Sequence, residues 1–316
     1  MNNKTDYTAK KISSSIKIDG DLKKDAWKNA EWSKRFVDMA TNDPGIYNTQ
    51  TAILWNDEHL YIAFYAEEPF VEALQKDRDS IVFLENDLEV FIDGDDCYYE
   101  LEVNAANTVY EVFFIWKDAY TKGSKFDIPV FDVHQKQAYT FGGNYDRSGA
   151  TFWKGTHPRG IRWAFTNFDM AGLQTGVQVD GTLNNNSDID KGWSLEIAIP
   201  WSSLQLLANG RSLPPVNEDV WNMFLGRFQK LMSGGKEIEP HPAMALNSHG
   251  IYDTHLPEKW SRIKFRTIRN KKEVDFDLLC RLVPPTDKSC NHMTDHFISN
   301  LFKSHPLNVH SINGLS

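Results

Sequence analysis
Side chains with carboxylate or amide heads crowd one short stretch. Asp87 and Glu89, then Glu102 and Asn104, lie within NDLEVFIDGDDCYYELEVNAAN at residues 86–107. Such groups support two kinds of chemistry. They accept and donate hydrogen bonds to sugar hydroxyls, or a carboxyl pair acts as acid and base on a glycosidic bond. On a strand, Asp87 and Glu89 have Cα atoms roughly 6–7 Å apart. Glycosidase carboxyls stand about 5–9 Å apart, so the spacing permits that chemistry. It does not supply the raised pKa that a general acid needs.

Two strands must position these groups. In the first, Leu88, Val90 and Ile92 alternate with Asp87, Glu89, Phe91 and Asp93; in the second, Leu101, Val103 and Ala105 alternate with Glu100, Glu102 and Asn104. Period-2 alternation predicts strands with one buried and one wet face. The turn between them carries Gly94 among Asp93, Asp95 and Asp96, with glycine expected to supply a positive φ. If the strands pair, Glu89, Glu100, Glu102 and Asn104 share one surface. Like charges directly opposite each other destabilise a sheet, so a carboxylate-lined face needs a reason. It is either the solvated outside of an antiparallel sheet or a ligand surface.

Composition narrows the partners. The chain has 316 residues, 41% of them hydrophobic, and 13% aromatic with ten tryptophans. That length can bury a large core, and aromatic enrichment suits both strands and ring-stacking surfaces. A net charge of −9 argues against nucleic acid or an anionic membrane as the main partner. No apolar run is long enough to span a bilayer. The first residues, MNNKTDYTAKKISSS, lack the apolar core of a signal peptide. Three cysteines are too few for a disulfide framework, and Cys97 reads as a free thiol.

Other chemistries lack their motifs. There is no glycine-rich phosphate loop, no CxxC pair, no HExxH and no G-x-S-x-G elbow. His241, His249 and His255 match no standard metal spacing and read as surface loop histidines. The Asp93–Asp96 turn could offer oxygen ligands to Ca²⁺; otherwise no cofactor is expected. A haem-binding sandwich would need axial His or Met residues facing one pocket, and no such pair stands out.

Along the chain, residues 16–30 read as a short strand, a turn at Asp19-Gly20 and then a helical turn carrying Trp27. Thr51 to Trp55 and Leu60 to Ala66 read as a hairpin. After the central pair comes a strand over 108–116. Residues 121–162 break into Gly, Pro, Lys and aromatics, too long for a plain connection. Strands return over 173–179, 193–199, 220–228 and 260–265, with a short helix at 201–208 between Pro200 and Asn209-Gly210. Arg227 shares the parity of Trp221, Met223 and Leu225, so it either reaches solvent at the strand end or is held by a carboxylate. Many short strands without βαβ alternation predict an all-β fold, an antiparallel sandwich of jelly-roll type. It carries a long aromatic loop insertion and an appended C-terminal tail over 267–316, partly helical or disordered.

Five segments in order, IKIDGDLKKDAW (16–27), LWNDEHLYIAF (54–64), the central pair (85–111), VDGTLNNNSDIDKGWSLEIAIPW (179–201) and HLPEKW (255–260), carry a resemblance. Over residues 12–266 the chain resembles the family 9 carbohydrate-binding modules. The resemblance implies a β-sandwich that grips sugar ends in a cleft, and export alongside polysaccharide breakdown. It implies hydrogen bonds to sugar from Glu89 and Asn104, a stacking role for Phe83, and a match of Arg227 to the Arg of the family's W-x-x-N-F-x-R strand. Asp87 and His255, which opens HLPEKW, join them. Glu102 stands where some members carry Arg, and Leu246 where a Trp is usual. Trp153 and Trp163 are available as replacement stacking rings. The expected function is binding of a carbohydrate ligand, sugar ends or short oligosaccharides; the alternative is a glycoside hydrolase using Asp87, Glu89 or Glu102.

Overall fold
The computed structural model describes residues 6–143 and 157–267. The tail past Thr267 and Trp153 lie outside the described residues. In chain order the elements are β1 (Asp6–Lys11), α1 (Asp25–Lys28), β2 (Val37–Asp38), β3 (Thr49–Trp55), β4 (His59–Glu67), β5 (Asp87–Asp93), β6 (Cys97–Asn104) and β7 (Val109–Trp116). Then follow β8 (Ala138–Phe141), β9 (Arg162–Phe165), β10 (Gln174–Asp180), β11 (Gly192–Pro200), α2 (Gln205–Ala208), β12 (Val220–Phe228), β13 (Met232–Ser233), β14 (Lys236–Glu237), β15 (Ala243–Ala245) and β16 (Ser261–Arg266).

One continuous path of pairing runs β10-β11-β4-β3-β1-β16-β12-β5-β6-β7-β9-β8. Its two halves supply a shared core, so the sheet folds over on itself as a sandwich. Ile53, Ile62, Phe64 and Leu195 come from one half, and Val90, Leu101, Phe113 and Leu225 from the other. β1 makes the hinge between the leaves by pairing parallel with both β16 and β3; the other pairings along the path are antiparallel. This strand precedes the motif-bearing stretch. Its partners, not its own pattern, make it a strand.

Polar links cross the core. Arg227 is fully buried with the inward residues of β12, as the carboxylate-held alternative anticipated. Its guanidinium lies 3.2 Å from Glu68 and donates to Thr49 Oγ1 at 3.0 Å and to the Glu67 carbonyl at 2.8 Å. Trp193 Nε1 donates to the same Glu68 carboxylate at 2.7 Å. A lone buried charge would be costly, so the pair ties the leaves in one register.

Three local expectations are corrected. The stretch before Asp19 is not a strand; Ile16 and Ile18 pack, with Trp27, on the outer face of β3 and β4, and the chain bends at Asp19-Gly20 as expected, with Gly20 at a φ of 82°. The anchor is buried Glu196, which accepts from the Asp19 and Gly20 amides at 2.9 and 2.7 Å and from Lys24 and Trp27. At the central turn the positive φ belongs to Asp95, at 62°. Gly94 is required for space instead, since a Cβ there would stand 2.8 Å from Cys97 Sγ. Finally, the 121–162 segment is not all loop, because β8 and β9 extend the sheet beyond β7. Their short, weakly alternating sequences carry little strand signal of their own.

Candidate functional site
The register of β5 and β6 is the one the alternation demands: Asp87 faces Asn104, Glu89 faces Glu102, and Phe91 faces Glu100. Leu88, Val90, Leu101 and Val103 enter the core, which turns the acids onto the other side of the leaf. That side is only partly covered. Met39, Ala243, Ala245 and Trp260 seal one part of it over Phe91 and Tyr98. The rest is a cleft of about 840 Å³.

Glu89, Glu100 and Glu102 line this cleft together with aromatic side chains. Phe83 and Tyr110 meet edge to face with centroids 5.8 Å apart. Tyr139 and Phe141 come from β8, Phe228 from the end of β12, and Tyr252 from the loop after β15. Phe83 and Tyr139 keep 37% and 55% of their surface exposed, so they offer ring faces to a ligand. Gly226, directly opposite Glu89 on β12, leaves that flank of the acid without a side chain; the Phe224 ring lies over it.

The carboxyls of this floor are buried together, and each is pushed up from its ordinary range. Burial is the main cause throughout. Glu100 is raised to about 8 despite help from Glu102 and the Arg162 charge. Glu89 is raised further by Asp87 and Glu100, and Glu102 by Glu100, Glu89 and Asp87. Asp87 behaves alike, although the Phe228 amide donates to it. One oxygen on each of the four lacks a hydrogen-bond partner.

Beside the acids, His255 lies 3.0 Å from the Tyr98 hydroxyl and 3.7 Å from Glu100. Its ring packs on Phe141 with centroids 4.4 Å apart. Burial, and then the Arg162 charge, hold its pKa well below the usual value, so the imidazole is neutral. Arg162 itself sits over the Trp116 ring at 4.4 Å and donates to the His255 carbonyl. His241 also lines the cleft and pairs with Glu237. The expectation of surface histidines is therefore corrected: His241, His249 and His255 are all buried. Irregular loops hid this, because no periodicity reports burial there.

Of the sequence-derived residues, the structure gathers Phe83, Glu89, Glu102 and His255 around the cleft, with Asp87 buried beside Glu89 and Glu102. Asn104 is not among the residues lining the cleft. It is fully buried, donates to the Gln75 carbonyl and Glu85, and accepts from the Ala106 and Thr108 amides, so it organises the β6–β7 turn. Arg227 faces the core on the opposite side of the leaf. Leu246 joins the core, and Trp163 packs near Tyr120 and Lys117. The side chains Asp93, Asp95 and Asp96 are engaged by Asn222, Asn209 and Arg159 respectively. The cleft residues that the sequence did not single out include the rings Tyr110, Phe114, Tyr139, Phe141, Phe228 and Tyr252. Tyr139 and Phe141 belonged to a segment with no clear pattern, and only its pairing onto β9 brings them here.

No family model and no curated protein matches the chain. Among solved structures it is similar to a Bacteroides uniformis protein assigned to carbohydrate binding, at 14% identity and a TM-score of 0.49, over 84% of this chain and 100% of that one. It is similar to a family 9 carbohydrate-binding module of Caldicellulosiruptor kristjanssonii in complex with cellotriose, at 15% identity and a TM-score of 0.45, over 90% and 100%. A module of the same family and organism in complex with glucose shows 16% identity and a TM-score of 0.46, over 84% and 98%. At these values the likenesses say nothing about what this chain binds.

Proposed function
We propose that the chain is a carbohydrate-binding protein that takes a sugar end or short oligosaccharide in the cleft over β5, β6 and β7. One observation carries the reading: directly opposed Glu89 and Glu102, with Glu100, floor a hollow of about 840 Å³ rimmed by exposed ring faces. A solvated outer face would be convex and wet, whereas these acids are almost wholly withdrawn from water. Sugars present hydroxyls at their edges and C–H groups on their faces. Buried carboxyls match the first, and the Phe83 and Tyr139 rings match the second. A place beside enzymes of polysaccharide breakdown is what the sequence resemblance implies for such a binder.

Hydrolysis at the same carboxyls is the rival. That chemistry needs one carboxyl held protonated and its partner ionised. Here burial pushes Glu89, Glu100 and Glu102 the same way, so binding is the better-supported reading. A glycan array followed by calorimetry tests it. Saturable binding of an oligosaccharide, weakened by Glu89→Gln and by Tyr139→Ala, is expected. Binding to no glycan, or binding indifferent to both substitutions, overturns the reading, and turnover of aryl glycosides would favour the rival.

A further inference from the structure
Asp87, Glu89 and Glu102 form a compact set at the floor of the leaf. Each offers one oxygen, and these oxygens all lie within 4.8 Å of one another. A single hard cation imposes such spacing: Ca²⁺ holds oxygens at about 2.3–2.6 Å, so opposite ligands stand roughly 5 Å apart and neighbours closer.

The surroundings separate this set from an ordinary acidic cluster. Asp87 Oδ2, Glu89 Oε2 and Glu102 Oε2 are buried with no hydrogen-bond partner, and so is Oε2 of neighbouring Glu100. Among the described residues, no Lys, Arg or His makes an ion pair with Asp87, Glu89 or Glu102; the one Arg in the adjoining β12, Arg227, is bound to Glu68 across the core. Among the described residues the only nitrogen donor to these carboxyls is the Phe228 amide, on Asp87 Oδ1, so the facing oxygens lack the compensation that buried polar groups ordinarily have. The strand register imposes this arrangement, with Glu89 and Glu102 directly opposite and Asp87 two residues along. By contrast, in the other His and acid group, Glu237, Glu239 and His241, both carboxylates are exposed, and Glu237 already has His241 and Lys230 as partners.

We propose that Asp87, Glu89 and Glu102 bind one divalent metal ion, Ca²⁺ by the character of the donors. The set is all oxygen and all carboxylate, which suits a hard cation of flexible coordination; Mg²⁺ demands a near-ideal octahedron and gives up its waters reluctantly. Asp87 contributes Oδ2, since Oδ1 accepts from the Phe228 amide. Glu89 and Glu102 contribute one or two oxygens each. Both also line the cleft, so water or a hydroxyl-bearing ligand can complete the shell from that side. The site stands whether or not a sugar binds.

The test uses the full chain, stripped with chelator and titrated calorimetrically with CaCl2, MgCl2 and MnCl2 near pH 7.5. One site per chain is expected, tightest for Ca²⁺, with at least a tenfold loss of affinity in Glu102→Gln and in Asp87→Asn. Asp95→Asn, in the acidic turn, is expected to bind as the parent does. Absence of Ca²⁺ binding, tighter binding of Mg²⁺ or Mn²⁺, or parent-like affinity in both amide variants overturns the proposal. Should an amide variant fail to fold, terbium diffused into crystals of the parent decides. Anomalous density between Asp87, Glu89 and Glu102 supports the site, and density elsewhere or none refutes it.

Discussion

Glu100 sits among three other carboxyls in a place with almost no water, and the consequence is a stability that depends on pH. Its folded-state pKa is raised from 4.5 to about 8. Below pH 4.5 the carboxyl is protonated in both folded and unfolded chains, and its effect cancels. As the pH rises above that, the unfolded chain gives up the proton freely while the folded chain keeps it. Stability therefore falls between about pH 4.5 and 8, and levels off once the folded chain also ionises. At roughly 1.4 kcal/mol per pKa unit the full loss is about 5 kcal/mol. Glu100→Gln keeps the shape and removes the titration. Urea denaturation of parent and variant across pH 5 to 9, with chelator present, is the assay. The stability gap should open with pH in the variant's favour, which for a domain of this size corresponds to roughly 10–20 °C in melting temperature. Parallel curves over that range would refute the reasoning, because they would mean that Glu100 ionises in the fold as easily as in water.

Breaking the buried pair by Glu68→Ala leaves Arg227 uncompensated and is expected to cost about 3–5 kcal/mol in chemical denaturation. Asn104→Ala removes a hub of four hydrogen bonds; it should lower stability by about 1–3 kcal/mol, measured by thermal melting, because its amide is spent on the β6–β7 turn. Tyr139→Ala should leave the melting temperature within about a degree or two, since more than half of that residue is exposed, and Phe83→Ala should cost somewhat more, since most of that residue is covered. Each should weaken glycan binding roughly three- to tenfold by calorimetry, the share of one stacked ring. Glu196→Gln should loosen the 16–28 segment, read as faster hydrogen exchange at the Asp19 and Gly20 amides, whose acceptor it weakens.

The amino-acid sequence by itself determined the strands and which way they face. Period-2 alternation in DLEVFID and CYYELEVN is strong enough that one slip of register would put Glu89 and Glu102 into the core, and the observed pairing obeys it. The same logic placed Trp193, Leu195 and Ile197 inward. What the acidic face looks onto was a tertiary decision. Whether it is convex and wet or hollow and dry depends on β8, on the 79–84 segment and on the loop after β15, which arrive from positions distant in sequence and carry no periodic signal. Parity likewise put Arg227 on the core side, but only the fold brought Glu68 and Thr49 of the other leaf within its reach. Asn104 shows the reverse limit. Its residue type suits a sugar contact as well as a turn, and a side chain with both donor and acceptor goes to whichever partners the folded backbone presents first.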